Sequence, residues 1–166
     1  WSRDPRHRLF GMVDMDRIAL IGHSRGGEAV AVAAAFNRLS HYPDDGKLAF
    51  DYGFNLRGVI AIAPVDGQYQ PRENGTPVID VNYFTIHGSM DGDVQSFEGA
   101  AQYARVGFKE TALSRFKSSM YVVGANHGQF NTTWENLDTG LLRAWALDLH
   151  GIMPADAQRD IARVYF

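Results

Sequence analysis

A run of four apolar residues, Ile18-Ala19-Leu20-Ile21, is cut off by Gly22 and followed within a few positions by Ala29-Val30-Ala31-Val32-Ala33-Ala34-Ala35-Phe36. Together they leave few folds open. The first run does not alternate, so it predicts a strand buried on both faces, over 17–21. The second is apolar nearly all round a helix, which predicts a buried helix from Arg25 to Leu39. A doubly buried strand that passes at once into a buried helix is the start of a parallel crossover unit.

The same grammar recurs downstream. Gly58-Val59-Ile60-Ala61-Ile62-Ala63 predicts a second doubly buried strand, Tyr83 to His87 a third and Lys117 to Val123 a fourth. Residues 40–56 and 65–80 are rich in turn formers and predict loops. Helices are expected over 97–106, near 139–149 and over 154–164, the last opened by Pro154. The expected class is α/β, a mostly parallel sheet with crossover helices. The 166 residues suffice for one core, and no repeat or linker divides them.

Composition removes several classes of function. Sixteen Lys and Arg against nineteen Asp and Glu give a net charge of −3, which speaks against a dedicated nucleic-acid binder. No apolar run approaches the roughly 20 residues of a bilayer span. With no cysteine, disulfides, thiolate zinc sites and a cysteine nucleophile are excluded.

The turn between the first strand and its helix reads Gly22-His23-Ser24-Arg25-Gly26-Gly27, a Gly-x-Ser-x-Gly pattern where its mechanism needs it. The serine sits on a sharp, strained turn. Gly22 and Gly26 are expected to keep the neighbouring strand and helix from colliding. The helix N-terminus turns N–H groups toward developing negative charge, with the Arg25 N–H as the natural oxyanion donor. Two later motifs follow further strands: His87-Gly88-Ser89-Met90-Asp91-Gly92-Asp93-Val94 and Val123-Gly124-Ala125-Asn126-His127-Gly128.

On these three motifs, and on residues 16–28 around the first, the chain resembles the α/β-hydrolase superfamily over about residues 16–128. The wording is nearest to the serine esterase branch that includes dienelactone hydrolases, platelet-activating-factor acetylhydrolases and cutinase-like enzymes. That family orders its triad as nucleophile, acid, histidine. The resemblance therefore implies Ser24 as nucleophile, Asp91 as acid and His127 as base, cleaving carboxylic esters through an acyl-enzyme with no metal or organic cofactor. Chemically, a serine hydroxyl needs a base to become nucleophilic, an imidazole titrates in the right range, and a carboxylate orients and supports it.

Asp93 shares the turn with Asp91 and is the alternative acid, with Asp66 a distant third. Asp91-Gly92-Asp93 lacks the further ligands of a calcium loop. Ser24 could instead be an ordinary helix cap. His23 is read as packing and pointing elsewhere on its turn, His87 and His150 as structural. Phe130, Trp134 and Tyr69 are the candidate walls of an open, apolar substrate pocket, for a small or polymeric ester. The rival readings are a serine peptidase of the same fold, a non-catalytic hydrolase-like binding module and a nucleotide-binding module. The last lacks Gly-x-Gly-x-x-Gly, Gly-Lys-Ser/Thr and Tyr-x-x-x-Lys.

The superfamily sheet has about eight strands, and only the portion from the nucleophile strand onward is legible. The chain, which starts at Trp1, is thus expected to be the C-terminal portion of a single catalytic domain lacking its N-terminal strands and second oxyanion donor. Its first strand would then be an exposed apolar edge prone to aggregation. Compartment and oligomeric state are not legible.

Overall fold

Parallel pairing organises the computed structural model, which describes residues 3–69, 80–109, 114–133 and 151–165. The main sheet has four parallel strands: β1 (Ile18–His23), β4 (Leu56–Ile62), β5 (Asn82–Gly88) and β6 (Lys117–Val122), in the spatial order β1-β4-β5-β6. Helix α1 (Arg25–Phe36) links β1 to the segment before β4, and α2 (Ser96–Arg105) lies between β5 and β6. A short 3₁₀ turn spans Gly128–Phe130, and α3 (Ala155–Tyr165) follows Pro154. This is an α/β arrangement, a parallel central sheet with helices. Among the described residues no helix is long and apolar enough to cross a membrane.

Alternation along each strand sorts the core into two layers. Val59, Ala61 and Tyr83 meet Ala31, Ala34 and Ala35 of α1 and Tyr103 of α2. On the opposite face Ile60, Ile62, Phe84, Ile86, Met120 and Val122 meet Phe130, Met153 and Ile161. The central strands β4 and β5 are thus covered on both sides, and each fully buried Val or Ile contributes roughly 1.5–3 kcal/mol.

The first strand departs from expectation. It is not buried on both faces: Leu20 packs under α1, but Ile21 on the other face is 56% exposed. Among the described strands β1 is an edge, paired with β4 alone. The layer that covers Ile60 and Ile62 does not extend over it. Along the same flank an apolar hollow of about 460 Å³ is lined by Met15, Leu20, Phe36, Tyr52 and Phe54 among others.

Other boundaries differ locally. Helix α1 ends at Phe36, with Asn37 closing its last turn and binding the peptide groups of Gly53 and Phe54 through its side chain. That bond to a distant segment outcompetes the continued helix expected to Leu39. The expected loop 40–56 contains an antiparallel pair, β2 (His41–Tyr42) and β3 (Asp45–Ala49). Strand β6 stops at Val122, and Val123 is exposed. The helix expected near 139–149, with His150, lies outside the described residues.

Candidate functional site

The site is built at the C-terminal ends of the parallel strands, where open α/β sheets offer a crevice. Ser24 occupies the turn between β1 and α1 with φ 60° and ψ −123°, a conformation that costs a non-glycine residue about 1–3 kcal/mol. Its backbone is held from three directions. The Ser24 N–H donates to Ile62 O at 2.9 Å, and its carbonyl accepts from Gly27 N at 2.9 Å and Val65 N at 3.3 Å. Its side chain makes no capping hydrogen bond to α1, so the ordinary-cap reading fails. Arg25 is exposed and opens α1, leaving its backbone N–H in the first turn.

The glycines divide the steric work differently from expectation. A Cβ on Gly22 would fall 2.1 Å from Gly26 O, and one on Gly27 would fall 2.7 Å from Cβ of Pro64. Nothing described lies within 4 Å of a Cβ on Gly26. Gly22 and Gly27 are therefore the sterically required pair; Gly26 contributes its carbonyl rather than its missing side chain.

Asp91 and His127 meet across the ends of β5 and β6. Asp91 Oδ2 lies 2.9 Å from His127 Nδ1, with both side chains nearly fully buried. Asp91 Oδ1 accepts from the N–H groups of Asp93 (3.0 Å) and Val94 (2.7 Å). A carboxylate so bound can only accept, which assigns the proton between them to Nδ1 and leaves Nε2 facing the other way. Asp93 is the looser neighbour: its carboxylate is half exposed and 3.9 Å from Nε2, beyond hydrogen-bond distance. Asp66 is bound instead to the Arg105 guanidinium.

His23 does not point away from the site, as its place in the turn suggested. Its ring lies 4.5 Å, centroid to centroid, from that of His127, and 6.2 Å from Phe130 in an edge-on contact. Packing and the proximity of the Ser24 turn to the histidine loop make these the same contact. Burial, then the neighbouring His127, push the His23 pKa down to about 4, so its ring is neutral near pH 7. His87 is buried and within 3.2 Å of Thr85 Oγ1; burial pushes its pKa down, against the opposing pull of the Asp91 carboxylate.

Of the expected pocket walls, Phe130 sits beside the His23 imidazole but also anchors into the core. Tyr69 is half exposed. Trp134 lies outside the described residues.

Three residues that sequence reasoning passed over shape the site. Glu28, in the first turn of α1 and fully buried, accepts from the N–H groups of Gly67 (2.8 Å), Gln68 (2.9 Å) and Tyr69 (3.0 Å). A lone acid on an otherwise apolar helix was the available clue. Glu98 of α2 accepts from Asp66 N at 3.1 Å, fixing the start of the same loop. Gln158 of α3 binds the peptide of Asn126, the residue before His127, and no local pattern announces it. Among the described residues no three His, Asp or Glu side chains are grouped as a metal ion requires.

No family model and no curated protein matches the chain. Among solved structures it is similar to one described as a bifunctional GH43-CE protein of Bacteroides eggerthii, with a TM-score of 0.45 and 16% identity. The match covers 71% of this chain and 22% of that one.

Proposed function

We propose that the chain carries the active site of a serine hydrolase of the α/β-hydrolase type that cleaves carboxylic esters. The observation that supports this reading best is the 2.9 Å contact between Asp91 and His127 Nδ1, formed beside a strained serine turn at the same end of the sheet. In this reading Ser24 Oγ attacks the ester carbonyl while His127 Nε2 accepts its proton. The oxyanion is met by the Arg25 N–H at the start of α1. Collapse breaks the ester C–O bond, and His127 returns the proton to the departing alcohol. Water, deprotonated by the same imidazole, then releases the acid and restores Ser24. Asp91 orients the ring and stabilises its charged form throughout. Phe130 and Tyr69 offer apolar surface to the substrate.

The test is a fluorophosphonate label together with p-nitrophenyl ester turnover in the full-length protein. Ser24 is expected to be labelled, and Ser24→Ala to lower turnover about 10⁴-fold or more. Turnover unchanged in Ser24→Ala removes the proposal. A p-nitroanilide run in parallel separates esterase from peptidase.

A further inference from the structure

The histidine loop is gripped from behind by a helix that the reaction scheme does not use. Gln158 lies in the first turn of α3 and is fully buried. Its Oε1 accepts from Asn126 N at 3.0 Å, and its Nε2 donates to Asn126 O at 2.8 Å. Both polar groups of the Asn126 backbone are thus bound by one amide. Only one orientation of that amide works, because the reversed one would set donor against donor and acceptor against acceptor. Asn126 passes the constraint on: its Oδ1 accepts from Gln129 N at 2.9 Å, so the turn carrying His127 is tied at both ends. Met153 N donates to Gly124 O at 2.8 Å and closes the same loop from the start of the segment leading into α3.

We propose that Gln158 is a positioning residue for His127: its two-point bond to Asn126 fixes where the imidazole meets Asp91 and the Ser24 turn. The kinetic part of this inference rests on the esterase reading above. The structural part does not. Ordinary helix docking does not require such a bond. The apolar contacts of Ile161 and Met153 with Ile62, Ile86 and Val122 already hold α3 to the sheet. A buried amide spent on the two peptide groups that flank one residue adds direction, not merely adhesion.

The experiment uses the full-length protein and two readouts, ester kinetics and the deshielded His127 Nδ1 proton seen by NMR and assigned by its loss in Asp91→Asn. Gln158→Met, close in shape but without either bond, is expected to lower kcat about 100-fold with KM little changed, and to broaden or remove the resonance. Gln158→Glu keeps the acceptor for Asn126 N and loses the donor, so an intermediate effect is expected; it carries the test if Gln158→Met fails to fold. Ile161→Ala, which loosens α3 while leaving both Gln158 bonds to Asn126 in place, is expected to lower Tm while keeping both the resonance and kcat. The proposal is overturned if the Gln158 variants retain both readouts, or if Ile161→Ala loses them to the same degree at matched Tm. If the resonance depends on Gln158 but the wild type turns over no ester, the positioning role stands and the esterase reading falls.

Discussion

Two loops converge at one end of the sheet, and they are held in opposite ways. The Ser24 turn is fixed locally. Strand β1, α1 and the close approach of Gly22 to Gly26 set it within six residues, and its strain is absorbed by bonds to the end of β4 and the loop beyond. The His127 loop is fixed at long range. Asp91 reaches it from 36 positions back along the chain and Gln158 from 32 positions ahead of Asn126. A largely local device tolerates change outside its own six residues and the 62–65 segment that braces it. A long-range one reports every disturbance of its supports.

The largest effect should come from cutting a long-range support. Asp91→Asn keeps the shape of the acid but prefers the wrong imidazole tautomer, and esterase turnover should fall about 10⁴-fold. Asp93→Asn should change it by only a few-fold, because its carboxylate stands beyond hydrogen-bond distance. Equal losses in the two variants, measured as kcat/KM on the same ester, would break the contrast.

Next in size are the steric supports of the local turn. Gly22→Ala and Gly27→Ala should each lose about 3 kcal/mol or more, since a Cβ there meets Gly26 O or Pro64 with no room to yield. Gly26→Ala should be neutral or gain up to about 1 kcal/mol from better helix propensity. Urea unfolding midpoints decide it, and a destabilised Gly26→Ala would return the steric role to the residue the motif suggests.

The smallest expected effect is a pH slope. Folded His23 titrates near 4 against an ordinary value of 6.5, so between those limits the unfolded chain binds a proton that the folded chain refuses. Stability should therefore fall as pH drops from about 6.5 toward 4 and be unaffected by His23 above that window. His87, also depressed by burial, adds in the same direction. His23→Gln should flatten part of the slope of Tm against pH; an unchanged slope would mean that His23 is not the group responsible.

Legibility followed the same division. The Ser24 turn could be read because Gly22, Ser24 and the flanking apolar runs are neighbours in sequence. The turns that carry Asp91 and His127 could be found by their motifs; of the two carboxylates it is Asp91 that lies within hydrogen-bond distance of His127. Gln158 and Glu28 stayed hidden, because a helix face says that a side chain is buried and not what it binds. The one-sided burial of β1 was hidden in its own residues, since four apolar residues look the same whether or not a layer covers their outer face; only the resemblance, through the strands expected before it, pointed to an exposed edge. The β2–β3 pair was missed since short strands in a Pro- and Gly-rich stretch carry little periodicity.

The grip of Glu28 has a consequence for how this molecule could be re-cut. It seizes the peptide groups at 67, 68 and 69. Gln68 and Tyr69 can be exchanged, proline excepted, without loosening the strap, whereas Gly67, at φ 101°, must keep its missing side chain, and adding or deleting a residue would misalign every anchor. A library that varies identity but not length at 68 and 69 is thus the economical way to re-dress this loop without unseating it.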